Sequence, residues 1–191
     1  YTTDDAGKGA IMATTLAYIA SLCTRKYTSS ANAKNDVACQ EFYDSSYNYV
    51  GIISFPGLNL ANKVITEIWL DIDAEKAGYG VKNTKTVYLR KANYQDDIAS
   101  GITGGQYVGD ELGTFEGAFY GNYNGYHITG PLFDAMAAYI SAGNNSFTIY
   151  NPLATASPHG YSCNYMQWAS VVITITFEDV VSLPTVSAAS A

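Results

Sequence analysis

Positive charge is scarce in this chain: ten Lys and Arg stand against 17 Asp and Glu, for a net charge of −7 at neutral pH. Nucleic-acid binding needs a field of cations that displaces counterions from phosphates, so DNA and RNA are poor partners. Charge of either sign is sparse, at 14% of residues against 48% apolar, which excludes the disordered class and suits a packed core. Long apolar runs are missing too. No segment approaches the roughly 20 residues that a spanning helix needs, so membrane insertion is not expected.

Cysteine and histidine are equally thin. Cys23, Cys39 and Cys163 are too few and too scattered for a disulfide framework, and none pairs at the short spacing of a zinc knuckle or redox motif. They read as buried thiols. His127 and His159 lack the His-Glu-x-x-His spacing and a third nitrogen ligand, which removes the usual zinc sites. Cys163 follows His159 across a turn-prone stretch containing Gly160, and no Gly-x-Ser-x-Gly elbow is present to complete a nucleophilic site. Gly104-Gly105 matches neither a P-loop nor a dinucleotide fingerprint. Asp71 and Asp73 share one strand face, where neighbouring acids usually meet solvent, so a glycosidase pair is the weaker reading. Asp96 with Asp97, and Asp110 with Glu111 and Glu116, offer hard oxygens but no ordered Asp-x-Asp-x-Asp-Gly loop. Asp110 and Glu111 are therefore weak candidates for structural calcium, no other cofactor is expected, and the chain reads as a non-enzyme.

Alternation is abundant. In residues 64–73, Val64, Thr66, Ile68, Leu70 and Ile72 fall on one face, with Glu67, Trp69, Asp71 and Asp73 on the other. Val171, Ile173, Ile175 and Phe177 repeat the pattern against Val172, Thr174, Thr176 and Glu178. Weaker versions run through 16–22, 49–55, 86–90 and 147–150, separated by Gly, Asn, Asp and Pro punctuation. One-sided strands need a facing layer, so the expected fold is a mostly β, two-layer antiparallel sandwich. A single short helix is predicted over 131–142, where Leu132, Phe133, Met136, Tyr139 and Ile140 recur at helical spacing behind Pro131 and ahead of Gly143. At 191 residues the chain suits one domain. Residues 12–181 are read as that domain, 1–11 as a leader or appended segment outside the fold because Met12 would make a natural start, and 182–191 as a linker-like tail.

Tyrosine, at 17 copies, equals glycine. The region 93–129 is rich in both and weak in alternation, so it is expected to hide one or two short strands and to carry function. Tyr120, Tyr123 and Tyr126, interleaved with Asn122 and Asn124, pair flat rings with amide hydrogen-bonders, which is what a glycan site needs. Phe115 and Phe119 are read instead as interior plugs. Trp168, just before a strand, is expected in the core or at an interface. Trp69, on the polar side of its strand, is expected beneath the helix or against a partner chain.

The order of segments carries a resemblance. Tyr27, Ser29, Ser30 and Asn35 precede Tyr49-Val-Gly-Ile-Ile-Ser-Phe55, then Pro56-Gly-Leu-Asn-Leu60, then the alternating run 64–73. This order resembles the opening half of the DNRLRE family of carbohydrate-binding-like modules. Tyr126-His-Ile-Thr-Gly-Pro-Leu-Phe133 looks like that family's entry into its single helix, and 143–150 like the strand after it. The resemblance spans residues 18–177 and implies a jelly-roll module of extracellular or virion proteins. The chain also looks like modules of phage minor structural or tail proteins, with Pro184-Thr-Val-Ser-Ala188 resembling their junctions. The expected role is thus non-catalytic contact with cell-surface glycan by a tail, fibre or surface protein. The alternatives are a structural subunit that contacts its own copies or other virion proteins and, more remotely, a polysaccharide-degrading enzyme.

Overall fold

The computed structural model describes residues 12–26, 37–41, 49–77, 85–96, 98, 102–117, 124–150 and 164–180. In chain order these form β1 (Thr14–Ile19), β2 (Ser21–Lys26), β3 (Val37–Glu41), β4 (Tyr49–Ser54), β5 (Lys63–Ala77), β6 (Lys85–Ala92), α1 (Gly104–Tyr107), β7 (Val108–Gly117), β8 (Asn124–Ile128), α2 (Gly130–Ser141), β9 (Ser146–Ile149) and β10 (Asn164–Asp179). The strands make two antiparallel five-stranded sheets. The first runs β1-β10-β5-β8 with β3 also on β10, and the second runs β2-β4-β9-β6-β7.

The pairing is nested. β6 pairs with β7, β5 with β8, β4 with β9 and β3 with β10, so the chain from β3 onward is one antiparallel ribbon folded at the β6–β7 connection. Pairing of β5 with β10 and of β6 with β9 rolls that ribbon into two sheets, which is the jelly-roll arrangement. The alternation of β10 explains why it sits centrally: Val171, Ile173, Ile175 and Phe177 are buried toward the other sheet. Full burial of each such side chain contributes roughly 1.5–3 kcal/mol.

Three expectations needed correction. The stretch 16–22 is two strands, because the chain changes sheets at Ala20, whose N–H donates to the Val171 carbonyl at 2.9 Å. β1 joins β10 in the first sheet, and β2 joins β4 in the second. Within β5 a bulge places Glu67 opposite Thr176 but Ile65 opposite Phe177, so Thr66 is the extra residue. Ile65 is therefore the buried one, and Val64 is 49% exposed. The region 93–129 holds both β7 and β8, as expected, together with the single turn α1, a second helix that was not foreseen.

The predicted helix is present as α2, with Thr129 at its N-cap position and Pro131 in its first turn. Leu132, Met136, Tyr139 and Ile140 drop into the core. Gly143 stops it at φ +89°, where a side chain would be strained. The Tyr139 hydroxyl anchors the helix. It accepts from the Ala92 N–H at 3.1 Å and from Gln95 Nε2 at 2.8 Å, and it donates to Ser146 O at 2.9 Å, with Ala92 O at 3.2 Å as the other acceptor. Gln95 Oε1 in turn accepts from the N–H groups of Asn145 and Ser146.

Where β2 and β4 run, the second sheet is buried on both faces. Ile53, Phe147 and Ile149 meet the first sheet, while Val50 and Ile52 point outward yet remain fully buried with Cys23 and Tyr107. The connection from β6 to β7 supplies the cover, since Ile98, Ile102, Tyr107 and Val108 pack there. Arg25, also fully buried, donates from Nη2 to the Ile98 carbonyl at 2.7 Å and ties β2 to that cover. Cys23 is buried, as expected. The side chain of Cys39 and all of Cys163 lie outside the described residues.

Candidate functional site

The outer face of the first sheet has no such cover among the described residues. Period-2 geometry turns Glu67, Trp69, Asp71 and Asp73 of β5 outward, opposite the buried Ile68, Leu70 and Ile72. On one side β8 sets His127 opposite Trp69 and Gly125 opposite Asp71. On the other, β10 sets Thr176, Thr174 and Val172 opposite Glu67, Trp69 and Asp71.

These positions build a fixed aromatic surface. The indole of Trp69 and the imidazole of His127 stack at 4.5 Å between centroids and 10° between planes. Trp69 Nε1 donates to Glu67 Oε1 at 3.0 Å, and His127 Nε2 lies 3.6 Å from the same oxygen, an ion pair whenever the imidazole is protonated. Thr176 Oγ1 donates to Glu67 Oε2 at 3.3 Å, which holds the carboxylate from its other side. Trp69 remains 37% exposed, well above what a core tryptophan shows. The imidazole covers one face of the indole, and on the β10 side the small Thr174 stands opposite Trp69.

Gly125 leaves room beside the ring. A Cβ there would stand 3.0 Å from Asp71 Oδ1, so any larger residue would push that carboxylate aside. The result is a flat, partly apolar plate with acceptor groups along one strand.

The residues singled out from the sequence fare differently. Tyr120, Asn122 and Tyr123 lie outside the described residues, and Asn124 is described only as the first backbone position of β8, opposite Ile72. Tyr126 is not a rim residue. The alternation that turns His127 outward turns Tyr126 toward the core, half-buried, with its ring 5.2 Å from that of Phe115. Phe115 itself packs on the core, as a plug would. Trp168 takes the core alternative, at 2% exposure within its own chain. Trp69 is not beneath α2, since it lies on the sheet's outer face.

Asp110 and Glu111 do not converge. As neighbours on a strand they diverge to opposite sides, Asp110 toward Lys91 at 3.3 Å and Glu111 toward Arg90 at 3.4 Å. Asp96 accepts from Asn145 Nδ2, and Glu116 from Thr86 Oγ1 at 2.7 Å. No group of three potential metal ligands occurs among the described residues. An open depression of about 770 Å³ lies over Arg90, Lys91, Asn93, Asp110 and Glu111, but its charges are matched to one another by the pairs just named. Among the described residues, no helix is long and apolar enough to cross a membrane.

Sequence reasoning missed His127 as part of the plate. Its pairing with Trp69 depends on the β5–β8 register, for which the sequence carries no local sign. No model of a known protein family matches this chain, and neither does any curated protein.

Proposed function

We propose that this domain is a non-catalytic recognition module of an extracellular or virion protein, of the tail, fibre or adhesion type, and that it contacts glycan through the outer face of the first sheet. Jelly rolls host many unrelated functions, so the site and not the fold carries the reading. The observation that carries it is the half-open indole of Trp69, held by the His127 stack and the Glu67 hydrogen bond. A ring fixed before binding loses little rotamer freedom when a ligand lands on it. Sugars present an apolar C–H face rimmed by hydroxyls, which an indole flanked by carboxylate acceptors complements. Tyr120, Asn122 and Tyr123 remain proposed contributors, since their segment leads directly into β8.

The test is a glycan-array screen of the wild type beside Trp69→Ala and Tyr123→Ala. Loss of signal in Trp69→Ala supports the reading, and equal signals from the wild type and Trp69→Ala sink it.

A second reading, a subunit that packs against its own copies, is favoured by β1. That strand carries no charge and leaves Leu16 44% and Ile19 74% exposed at the edge of the first sheet, a template for adding another strand. By contrast β7, an edge of the second sheet, bears Asp110, Glu111 and Glu116. Light scattering of the wild type and of Ile19→Lys decides it: an oligomer that the variant reduces to a monomer supports this reading, and a wild-type monomer removes it.

A further inference from the structure

We propose that the outer face of the first sheet selects glycans bearing free amino groups, that is de-N-acetylated hexosamine chains, over their neutral N-acetylated and acidic counterparts. This rests on the glycan reading above and adds the class of sugar.

Charge on that face is one-sided. Among the residues whose side chains are described, its outward positions include Glu67, Asp71, Asp73 and Glu178, with His127 as the one basic side chain, while the register pairs Lys76, beyond Asp73, with Gln167. Lys63, at the end of β5, is already paired with Asp179 and lies 6.0 Å from the centroid of the Phe177 ring. An acidic sugar laid across Trp69 would meet these carboxylates and, among the described side chains, no Lys or Arg. That arrangement repels uronate, sialate or phosphate groups.

Two of the carboxylates are also uncommitted. Glu67 is engaged by Trp69 and Thr176, whereas Asp71 and Asp73 have no hydrogen-bond or ion-pair partner among the described residues. They follow Trp69 at successive outward positions, each about 7 Å further along the strand by the rise of extended backbone. A chain stacked on the indole and running along β5 would therefore pass one carboxylate after another. Ammonium groups on successive sugars are the complement of that row. Gly125 keeps the approach to Asp71 clear, because any Cβ would crowd its Oδ1.

Neutral sugars would still stack on Trp69, so the inference concerns preference and not binding as such. An exposed ion pair of this kind strengthens association by about 1.4- to 5-fold, so two pairs give a preference of roughly 2- to 25-fold.

The experiment is titration calorimetry of the whole chain with three oligomers of equal length: β-linked glucosamine, its N-acetylated form, and an oligouronate. Conditions keep the amine protonated and the carboxylates ionised. The expected order is amino over N-acetyl, with the uronate unbound. In Asp71→Asn/Asp73→Asn the amino form should fall to parity with the N-acetyl form, whose own affinity changes less than about twofold. Trp69→Ala should lose both, while both variants keep the wild-type circular-dichroism spectrum.

Equal or tighter binding of the N-acetylated oligomer by the wild type overturns the amino-sugar preference and leaves glycan recognition standing. Binding of the uronate overturns it as well. Undiminished binding of glucosamine by Trp69→Ala identifies bulk attraction to an acidic protein and overturns the site. Failure of the wild type to bind any oligomer defeats both proposals. Because Asp71 and Asp73 lie outside the core, their double variant tests the preference even if Trp69→Ala does not fold.

Discussion

The outer faces of the two sheets, built from strands of the same ribbon, have opposite fates. In the second sheet the outward residues Val50 and Ile52 are sealed under Tyr107, Ile98 and Ile102. In the first, the outward residues of β5 and β10 are Glu67, Trp69, Asp71, Thr174 and Thr176, with no such lid among the described residues. The sequence marks the difference. β4 reads as a continuous apolar run, Tyr49-Val-Gly-Ile-Ile, while β5 and β10 alternate. Continuous apolarity signals a strand covered twice, and alternation a strand covered once. The face left over is where a ligand can land.

The sharpest way to break this contrast is to place one charge on each outer face. Ile52→Lys buries an unpaired ammonium between β4 and its cover and should cost more than about 4 kcal/mol, unfolding the domain or nearly so. Thr174→Lys, at the matching outward place in the first sheet, should cost under about 1 kcal/mol. Urea denaturation of both variants compares them directly. Equal costs would mean that the cover over the second sheet is loose.

Tyr139 tests how firmly α2 and the β6–β7 connection are joined. Tyr139→Phe leaves the Ala92 N–H and the Ser146 carbonyl without their shared hydroxyl and should cost about 1–3 kcal/mol. Burial, the larger cause, raises the Tyr139 pKa above its ordinary value of 10.0, although its hydrogen bonds with Gln95 and Ala92 pull the other way. The folded state therefore holds the phenolic proton longer than the unfolded chain does. Its contribution is complete below about pH 10 and is lost as pH rises from there through the folded value. The stability gap between wild type and Tyr139→Phe should narrow across that range, measured by denaturation at successive alkaline pH values.

The smallest expected effect belongs to the plate itself. Trp69→Ala should change stability by no more than about 1 kcal/mol, because the ring stands on an open face and its partners Glu67 and His127 can turn to water. Thermal melts of the folded variant check this. A much larger loss would mean that the stack is a structural clamp, and the distinction between a covered and an uncovered sheet would blur.

Much of this organisation was legible beforehand. β10 alternates as it reads, and α2 lies within a residue of its predicted bounds because Pro131 and Gly143 punctuate it. The bulge at Thr66 was not legible, since neither glycine nor proline marks it and Val64 suits the core as well as Ile65 does. Nor was the change of sheet at Ala20, an unremarkable residue within an apolar stretch. The turn α1 had a sign, Thr103 with Gln106 three residues on, whose side chain accepts from the Thr103 N–H at 2.8 Å, but Gly104 and Gly105 between them masked it. The plate was half legible. Trp69 stood out as an aromatic on a polar face, but its neighbours His127 and Gly125 come from a distant strand and are joined to it only by sheet register. Tyr126 was misplaced for the same reason, because the direction of every side chain on β8 depends on which residue meets Leu70.

The ladder between β1 and β10 sets Thr14 directly across from Phe177, so the described fold is entered and left at neighbouring points. A longer polypeptide could therefore carry the domain as a bead hung to one side of its path, with little disturbance to its own course. Tension along that polypeptide would load the β1–β10 hydrogen bonds one after another from this shared end. They would open like a zip, and the rolled ribbon behind them would be the last part to feel the pull.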